Sequence, residues 1–555
     1  MNRMAPALGT PSGTAFGTAS PHSAHVDTFA RDRLPPPHAL PEFLFDGPAL
    51  QFPDHLNCAT ELLDSHVAQG RGNRLCLQGA GVRWTYADLQ AQANRIANVL
   101  VHEQGLLSGQ RVLLRGANSP LLAACFLAVF KAGGIAVGTM PLLRARELVP
   151  IIDKAQISHA LCCSSLADEL ALARADCPTL KHVTLYAGDL RALETRAAVQ
   201  PAAFNNIDTG ALDICLIAFT SGTTGVPKGT MHFHRDLMAA CACWPPHVLR
   251  PQADDVFIGS PPLAFTFGLG GLLLFPLSVG ASSVLIEKAT PDKLLSAIAQ
   301  HRATVCFTAP TSYRAMAAMV ADHDLSSLRK CVSAGEALPA ATRLLWKQAT
   351  GIELIDGIGS TEMLHIFISA DEAHARPGAT GVPVPGYTAT VLDEQGAQTP
   401  QGQVGRLAVK GPTGCKYLDD PRQAQYVQGG WNLTGDAYLV DADGQFVYQA
   451  RTDDMIISGG YNIAGPEVEG ALLLHPAVAE CGVIGQADAA RGMVVKAVVV
   501  LKAGHEGDAA MAKALQDFVK QQIAPYKYPR EIEFRRSLPR TETGKLQRFR
   551  LKAGA

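Results

Sequence analysis

Residues 220 to 229 read Thr-Ser-Gly-Thr-Thr-Gly-Val-Pro-Lys-Gly and follow the apolar run Ile214 to Phe219. Thr220, Ser221, Thr223 and Thr224 offer hydroxyls, Gly222 and Gly225 let the backbone come close to an anion, and Lys228 adds a mobile positive charge. A strand that delivers such a loop is suited to wrapping a polyphosphate. A Walker A loop would need Gly-Lys-Ser/Thr at its end, whereas here the order is Pro227-Lys228-Gly229-Thr230, which argues against a P-loop NTPase. Five more segments share the theme. Ser333-Ala334-Gly335-Glu336-Ala337 and Asp356-Gly357-Ile358-Gly359-Ser360-Thr361-Glu362 each end a strand-like run, and neighbouring parallel strands present ligand loops at their carboxyl ends. Asp436 lies in Asn432-Leu433-Thr434-Gly435-Asp436, and Arg451 opens Arg451-Thr452-Asp453-Asp454. Pro539-Arg540-Thr541-Glu542-Thr543-Gly544-Lys545 stands near the end of the chain.

These segments need a scaffold, and the pattern between them predicts an α/β one. Thr85 and Asp88 form a capping-box pair before a helix whose apolar face is Leu89, Ala93, Ile96 and Leu100. Val112-Leu113-Leu114, an apolar helix from about Pro120 to Lys131, the stop Gly133-Gly134 and the strand Ile135-Ala136-Val137 continue the alternation. It restarts after the phosphate loop, with strands expected at Val256–Ile258, Ser283–Ile286, Thr304–Phe307 and Ile352–Ile355. Two such blocks predict two largely parallel sheets covered by helices. The 555 residues exceed one core. We expect a leader over 1–40, a large N-terminal domain over 41–450 with a β-rich subdomain from about 381 to 450, and a small C-terminal α+β domain over 451–555. That last unit is predicted to contain strand Val495–Leu501, a helix from about Asp508 to Ile523 and strand Glu531–Phe534.

Composition excludes several function classes. With 47% hydrophobic and 18% charged residues and a net charge of -2, nothing recruits nucleic acid or an anionic membrane. The 13 cysteines lack zinc or CxxC spacing and read as reduced core thiols of a cytoplasmic protein. The run from Gly268 to Ile286 is broken by Gly270, Gly271, Pro276, Ser278 and Gly280, so it reads as a buried helix followed by a strand.

From residue 55 to the C-terminus, the order and spacing of these motifs resemble the adenylate-forming superfamily of acyl-CoA synthetases, luciferases and peptide-synthetase adenylation domains. The resemblance implies ATP, Mg²⁺ and CoA. In it Thr220 to Lys228 hold the β- and γ-phosphates, Gly335-Glu336-Ala337 and Asp356-Gly357-Ile358 line the adenine, and Thr361 touches the α-phosphate. Glu362 faces Mg²⁺, Asp436 accepts the ribose hydroxyls with Arg451 beside it, and Lys545 bridges the substrate carboxylate and α-phosphate. Asp453 matches a hinge about which the small domain swings, bringing Ser458-Gly459-Gly460-Tyr461 to the thiol channel. The catalytic set is thus Lys545, Thr220 and Glu362.

Gly359 to Phe367 and Pro262-Leu263-Ala264-Phe265-Thr266-Phe267-Gly268 resemble benzoate-type CoA ligases, which implies an aryl pocket around Phe265, Thr266, Phe267, Gly359 and His365. Many relatives carry histidine at position 265 and tyrosine at 358, and benzoate ligases commonly carry alanine and tyrosine at 266 and 267. This chain's Phe265, Ile358, Thr266 and Phe267 therefore make a different pocket. The phrase His25 to Pro36 with Leu56-Asn57-Cys58-Ala59 is similar to 2-aminobenzoate-CoA ligases, so the expected acid is 2-aminobenzoate, with benzoate also accepted. A small aromatic acid, ATP and CoA are the expected partners, without nucleic acid or membrane, and a homodimer is compatible. Two other readings share these motifs: an aryl-adenylating enzyme that loads a carrier protein, and a catalytically silent nucleotide-binding relative.

Overall fold

A computed structural model describes residues 22–188, 191–220, 227–452, 454–458, 461–488, 492–540 and 546–552. Two sheets dominate it. The first has six strands in the order His182–Tyr186, His159–Cys163, Arg111–Arg115, Ile135–Thr139, Ile214–Thr220 and Lys228–Phe233, parallel except for the final hairpin. The second has nine strands, and its central run Leu354–Gly359, Lys330–Ser333, Val305–Thr308, Val256–Gly259, Ser282–Val284 and Leu75–Gly79 is parallel, with antiparallel edges.

Side-chain alternation sorts these strands into layers. Val112 and Leu114 join one core with helices Tyr86–Asn98, Pro120–Lys131 and His234–Trp244, while Leu113 joins another on the opposite face with helix Ala145–Ala155. Likewise Phe257 and Phe307 enter the shared core, and Ile258 and Cys306 pack outward against helices Pro291–His301 and Pro310–Ala317. The result is helix, sheet, helix, sheet, helix. Pro120–Lys131 sits in the middle layer and is apolar all round, as that position requires. Its neighbour starts where the capping box predicts: the Thr85 side chain accepts from the Asp88 N–H while the Asp88 carboxylate accepts from the Thr85 N–H.

Five strands between Thr388 and Arg451 form an antiparallel sheet, in keeping with the β-rich expectation. A further five, Ile456–Ser458, Tyr461–Ile463, Val478–Asp488, Gly492–Leu501 and Glu531–Phe534, form the C-terminal sheet, packed on helix Ala509–Gln522 with Asp508 as its N-cap. Arg314 Nε donates to the Ala479 carbonyl at 3.3 Å and the Arg540 Nη1 lies 3.6 Å from Glu336 Oε1, so this unit faces the loop after Ser333 and helix Pro310–Ala317 of the large one. Among the described residues no helix is long and apolar enough to cross a membrane.

Three expectations require correction. The strand expected over 283–286 is Ser282–Val284, and the one expected over 352–355 begins at Leu354 and runs on through Gly359, so Asp356, Gly357 and Ile358 lie within it. The described part of the expected leader is packed. The Ala24 N–H and the Ser23 hydroxyl donate to Asp213, Arg111 Nη1 pairs with Asp27 Oδ1 at 2.8 Å, and His25 and Ala30 are buried. Polar contacts of that kind leave no apolar period in the sequence, which is why composition alone suggests a loose segment.

Candidate active site

The hairpin Ile214–Thr220 and Lys228–Phe233 sets Thr220 opposite Lys228 at its loop end, flanking 221–226, so Ser221, Gly222, Thr223, Thr224 and Gly225 lie outside the described residues. Among the described residues, the buried Thr220 hydroxyl has no hydrogen-bond partner. A second chain segment crosses this hairpin. The Met231 N–H donates to the Lys416 carbonyl and the Leu418 N–H to the Gly229 carbonyl, both at 2.8 Å, which leaves Tyr417 paired to Thr230. Beneath it the fully buried Lys416 Nζ lies 2.9 Å from the fully buried Asp236. Removing one member of such a pair typically costs about 3–5 kcal/mol, so the crossing is firmly fixed.

Tyr417 thereby reaches two residues that the sequence singles out. Lys228 Nζ donates to its hydroxyl at 2.9 Å, and that hydroxyl donates to Glu362 Oε1 at 2.5 Å; Lys228 and Glu362 stand 3.7 Å apart. Burial, reinforced by the Glu362 carboxylate, holds the Tyr417 phenol well above its ordinary pKa, so it stays protonated and can donate. Glu362 brings a hard anionic oxygen with a second oxygen to spare, the donor type that Mg²⁺ takes alongside substrate phosphates.

The strands ending at Ser333 and carrying Asp356 pair in register, which brings the loops of Gly335-Glu336-Ala337 and Gly359-Ser360-Thr361 side by side. Burial pushes Asp356 up to about 7, against the opposing pull of Arg343. Asp436 and Arg451 are cross-strand partners, and Arg451 Nη1 lies 3.0 Å from Asp436 Oδ1. Gly435 makes this possible: its φ is 76°, and an added Cβ would sit 2.7 Å from Arg451 Nη2. Burial raises the Asp436 pKa, with Arg451 opposing.

Leu364, a buried non-glycine residue at φ 69°, turns the chain between Glu362 and His365. Such a conformation costs about 1–3 kcal/mol and marks a place where direction matters. On its far side His365 enters an aromatic cluster. Its ring centroid lies 4.5 Å from Phe275, 5.6 Å from Phe267 and 5.7 Å from Trp244, and the Phe307 ring sits tilted with its centroid 5.7 Å from that of Phe267. Burial lowers His365 to about 3, so it is a neutral imidazole. Gly270 and Gly359 allow the close fit: an added Cβ would meet His365 Cδ2 at 2.4 Å and the His365 carbonyl oxygen at 2.6 Å, respectively. Thr266 is buried next to Phe267.

The structure thus brings together Thr220, Lys228, Glu362 and Thr361 at a polar end, and Phe267, Gly359 and His365 at an aromatic end. Phe265 caps the short helix Thr266–Leu269 and joins none of the described ring contacts. Ile358 packs on the core. Lys545, Asp453, Gly459 and Gly460 lie outside the described residues; Ser458 is buried and pairs with Tyr461 in a hairpin. Sequence reasoning missed Tyr417, Trp244, Phe275 and Phe307. Tyr417 is found only through the strand crossing, and Trp244 carries the weak signal of being one of 4 tryptophans. An open hollow of about 410 Å³ lined by Phe29, Arg33, Asp153, Lys154, Gln156 and Asp419 shares none of these residues.

Known proteins match most of the chain. The family model described as AMP-binding enzyme matches residues 64–417, and that described as AMP-binding enzyme C-terminal domain matches 467–545. The chain is 36% identical over 519 residues to a benzoate–CoA ligase of Thauera aromatica, covering 91% of this chain and 97% of that one. It superposes with a TM-score of 0.87 and 36% identity on the anthranilate CoA ligase AuaEII in complex with anthranoyl-AMP, over 92% of this chain and 99% of that one. A benzoate CoA ligase from Burkholderia xenovorans LB400 gives a TM-score of 0.82 at 32% identity, over 90% of this chain and all (100%) of that one.

Proposed function

Since the chain belongs to the AMP-binding enzyme family, we propose that it is an ATP-dependent aryl-CoA ligase whose acid is 2-aminobenzoate, with benzoate as an accepted second substrate. The observation that carries this reading is the turn at Leu364, which holds Glu362 on the phosphate side and His365 in the aromatic cluster.

A carboxylate is a poor electrophile, so one of its oxygens must first become part of a leaving group. It attacks the α-phosphorus of ATP, diphosphate departs, and an aryl-adenylate forms. Two anions meet in that step. Lys228 and the hydroxyls of Thr220 to Thr224 serve the β- and γ-phosphates, Thr361 the α-phosphate, and Lys545 the junction of carboxylate and α-phosphate. Glu362 would hold Mg²⁺, which when bound supplies further neutralisation of the phosphates. Asp436 receives the ribose hydroxyls, and Gly335-Glu336-Ala337 with Asp356-Gly357-Ile358 flank the adenine. Rotation about Asp453 then withdraws Lys545 and brings Ser458 to Tyr461 against the pantetheine arm. The CoA sulfur attacks the acyl carbon, AMP leaves, and the thiol proton passes to solvent. Free cysteines at all 13 positions suit a reducing, cytoplasmic setting.

Ring burial gives about 2–3 kcal/mol and is common to benzoate and 2-aminobenzoate. One hydrogen bond from the amino group, with the Thr266 hydroxyl as its acceptor, adds only about 1 kcal/mol. The test is acid-dependent exchange of labelled diphosphate into ATP, followed by mass spectrometry with free CoA. We expect exchange with 2-aminobenzoate and benzoate, a preference between them under about tenfold, and aryl-CoA formed without any carrier protein. Equal exchange with acetate overturns the aryl assignment.

A further inference from the structure

We propose that Tyr417 is a positioning residue for the triphosphate: its hydroxyl keeps Lys228 and Glu362 from closing on each other and so leaves both open to incoming Mg·ATP. The inference rests on the nucleotide half of the function above, and on none of its assignments for the acid.

The geometry is specific. The phenol is the middle member of a chain in which it accepts from Lys228 Nζ at 2.9 Å and donates to Glu362 at 2.5 Å. Lys228 Nζ and Glu362 Oε1 stand 3.7 Å apart, within ion-pair range but longer than a direct charge-assisted hydrogen bond. In a site with little water, a direct pair of lysine and carboxylate would be strong, and it would have to be broken before the lysine could meet phosphate or the carboxylate a cation. A neutral hydroxyl interposed between the two satisfies both charges with single hydrogen bonds that are cheaper to exchange. Only a group that donates and accepts at once can do this, and tyrosine is the residue that also fills the apolar surroundings.

The placement of the phenol is over-determined, as a positioning role requires. The ring is 1% exposed, the Tyr417 N–H donates to Gln423 Oε1 at 2.9 Å, and its ring packs edge-on against Tyr426 with centroids 5.8 Å apart. The Tyr426 hydroxyl in turn lies 3.2 Å from the Ser360 hydroxyl, two residues before Glu362. The strand crossing at Thr230 and the Lys416–Asp236 ion pair anchor the backbone on either side.

The test is equilibrium binding by calorimetry, without any acid present, comparing the wild type with Tyr417→Phe. The probes are Mg²⁺ with the β,γ-imido analogue of ATP, and AMP, which lacks the phosphates that Lys228 and Glu362 would meet. We expect the dissociation constant for the magnesium-loaded analogue to rise about tenfold while that for AMP changes by less than about twofold. Unchanged affinity for both probes overturns the proposal. So does a parallel loss for both, or a variant that no longer melts cooperatively, because the hydroxyl would then be serving the fold. If the wild type binds neither probe, the nucleotide reading itself has failed, an outcome distinct from the others.

Discussion

The polar and aromatic ends of the site are built by opposite strategies. At the polar end three side chains, Lys228, Tyr417 and Glu362, are joined atom to atom, and the segment that carries Tyr417 is pinned by backbone pairing and a buried ion pair. At the aromatic end Trp244, Phe267, Phe275, Phe307 and His365 meet as rings at centroid separations of 4.5 to 6.0 Å, drawn from four separate stretches of the chain. Charge must be met by particular atoms at hydrogen-bond distance, because energy falls away within an ångström. Ring burial depends on area and tolerates many arrangements. On the function proposed above, the polar end would fix the reaction and the aromatic end would tune which acid is accepted.

Substitutions can sharpen that division. The largest effect belongs to charge: Lys545→Ala should reduce diphosphate exchange by about 10²- to 10³-fold for every acid alike. An acid-dependent loss would break the division. Next comes Gly270→Ala, whose Cβ would press on His365 Cδ2 and on Phe275, contacts of 2.4 and 3.1 Å. A displacement of that size at the ring should lower kcat/KM for the aryl acid by about 10- to 100-fold and leave the KM for ATP within about twofold. Steady-state kinetics with each substrate varied separates the two constants.

The smallest effect is on stability. Burial raises Asp356 from its ordinary 3.8 to about 7, with Arg343 opposing. Between those values the folded protein holds a proton that the unfolded chain has released, so stability falls as pH rises from about 4 to 7 and is level above. Asp356→Asn removes this dependence. Its melting temperature should overtake that of the wild type progressively across the window. A constant offset at all pH values would show that Asp356 is ionised throughout.

The same contrast governs what is legible in the sequence. The hairpin, the loops after Ser333 and around Glu362, and the Asp436 and Arg451 segments are consecutive residues, so their chemistry is written locally. The layers are legible too, because Val112, Leu113 and Leu114 alternate between cores that the strand period predicts. Tyr417 is not, since its meaning comes from a crossing between positions 230 and 417. Nor are Trp244, Phe275 and Phe307, where an aromatic residue in an apolar run is as compatible with plain core packing as with a site. The segment from His22 to Leu40 misleads for a related reason: its partners Ser108, Arg111 and Asp213 are far along the chain.

The contact between Arg540 and Glu336 carries one more implication. Arg540 also pairs with Glu480 at 2.7 Å, and it precedes Lys545 by five positions. If the small domain swings as proposed above, carrying Lys545 off would pull this guanidinium from Glu336 while keeping its bond to Glu480, which travels along. The two postures would then be electrostatically unequal, and ionic strength would act as a dial on the balance between them, with added salt favouring release.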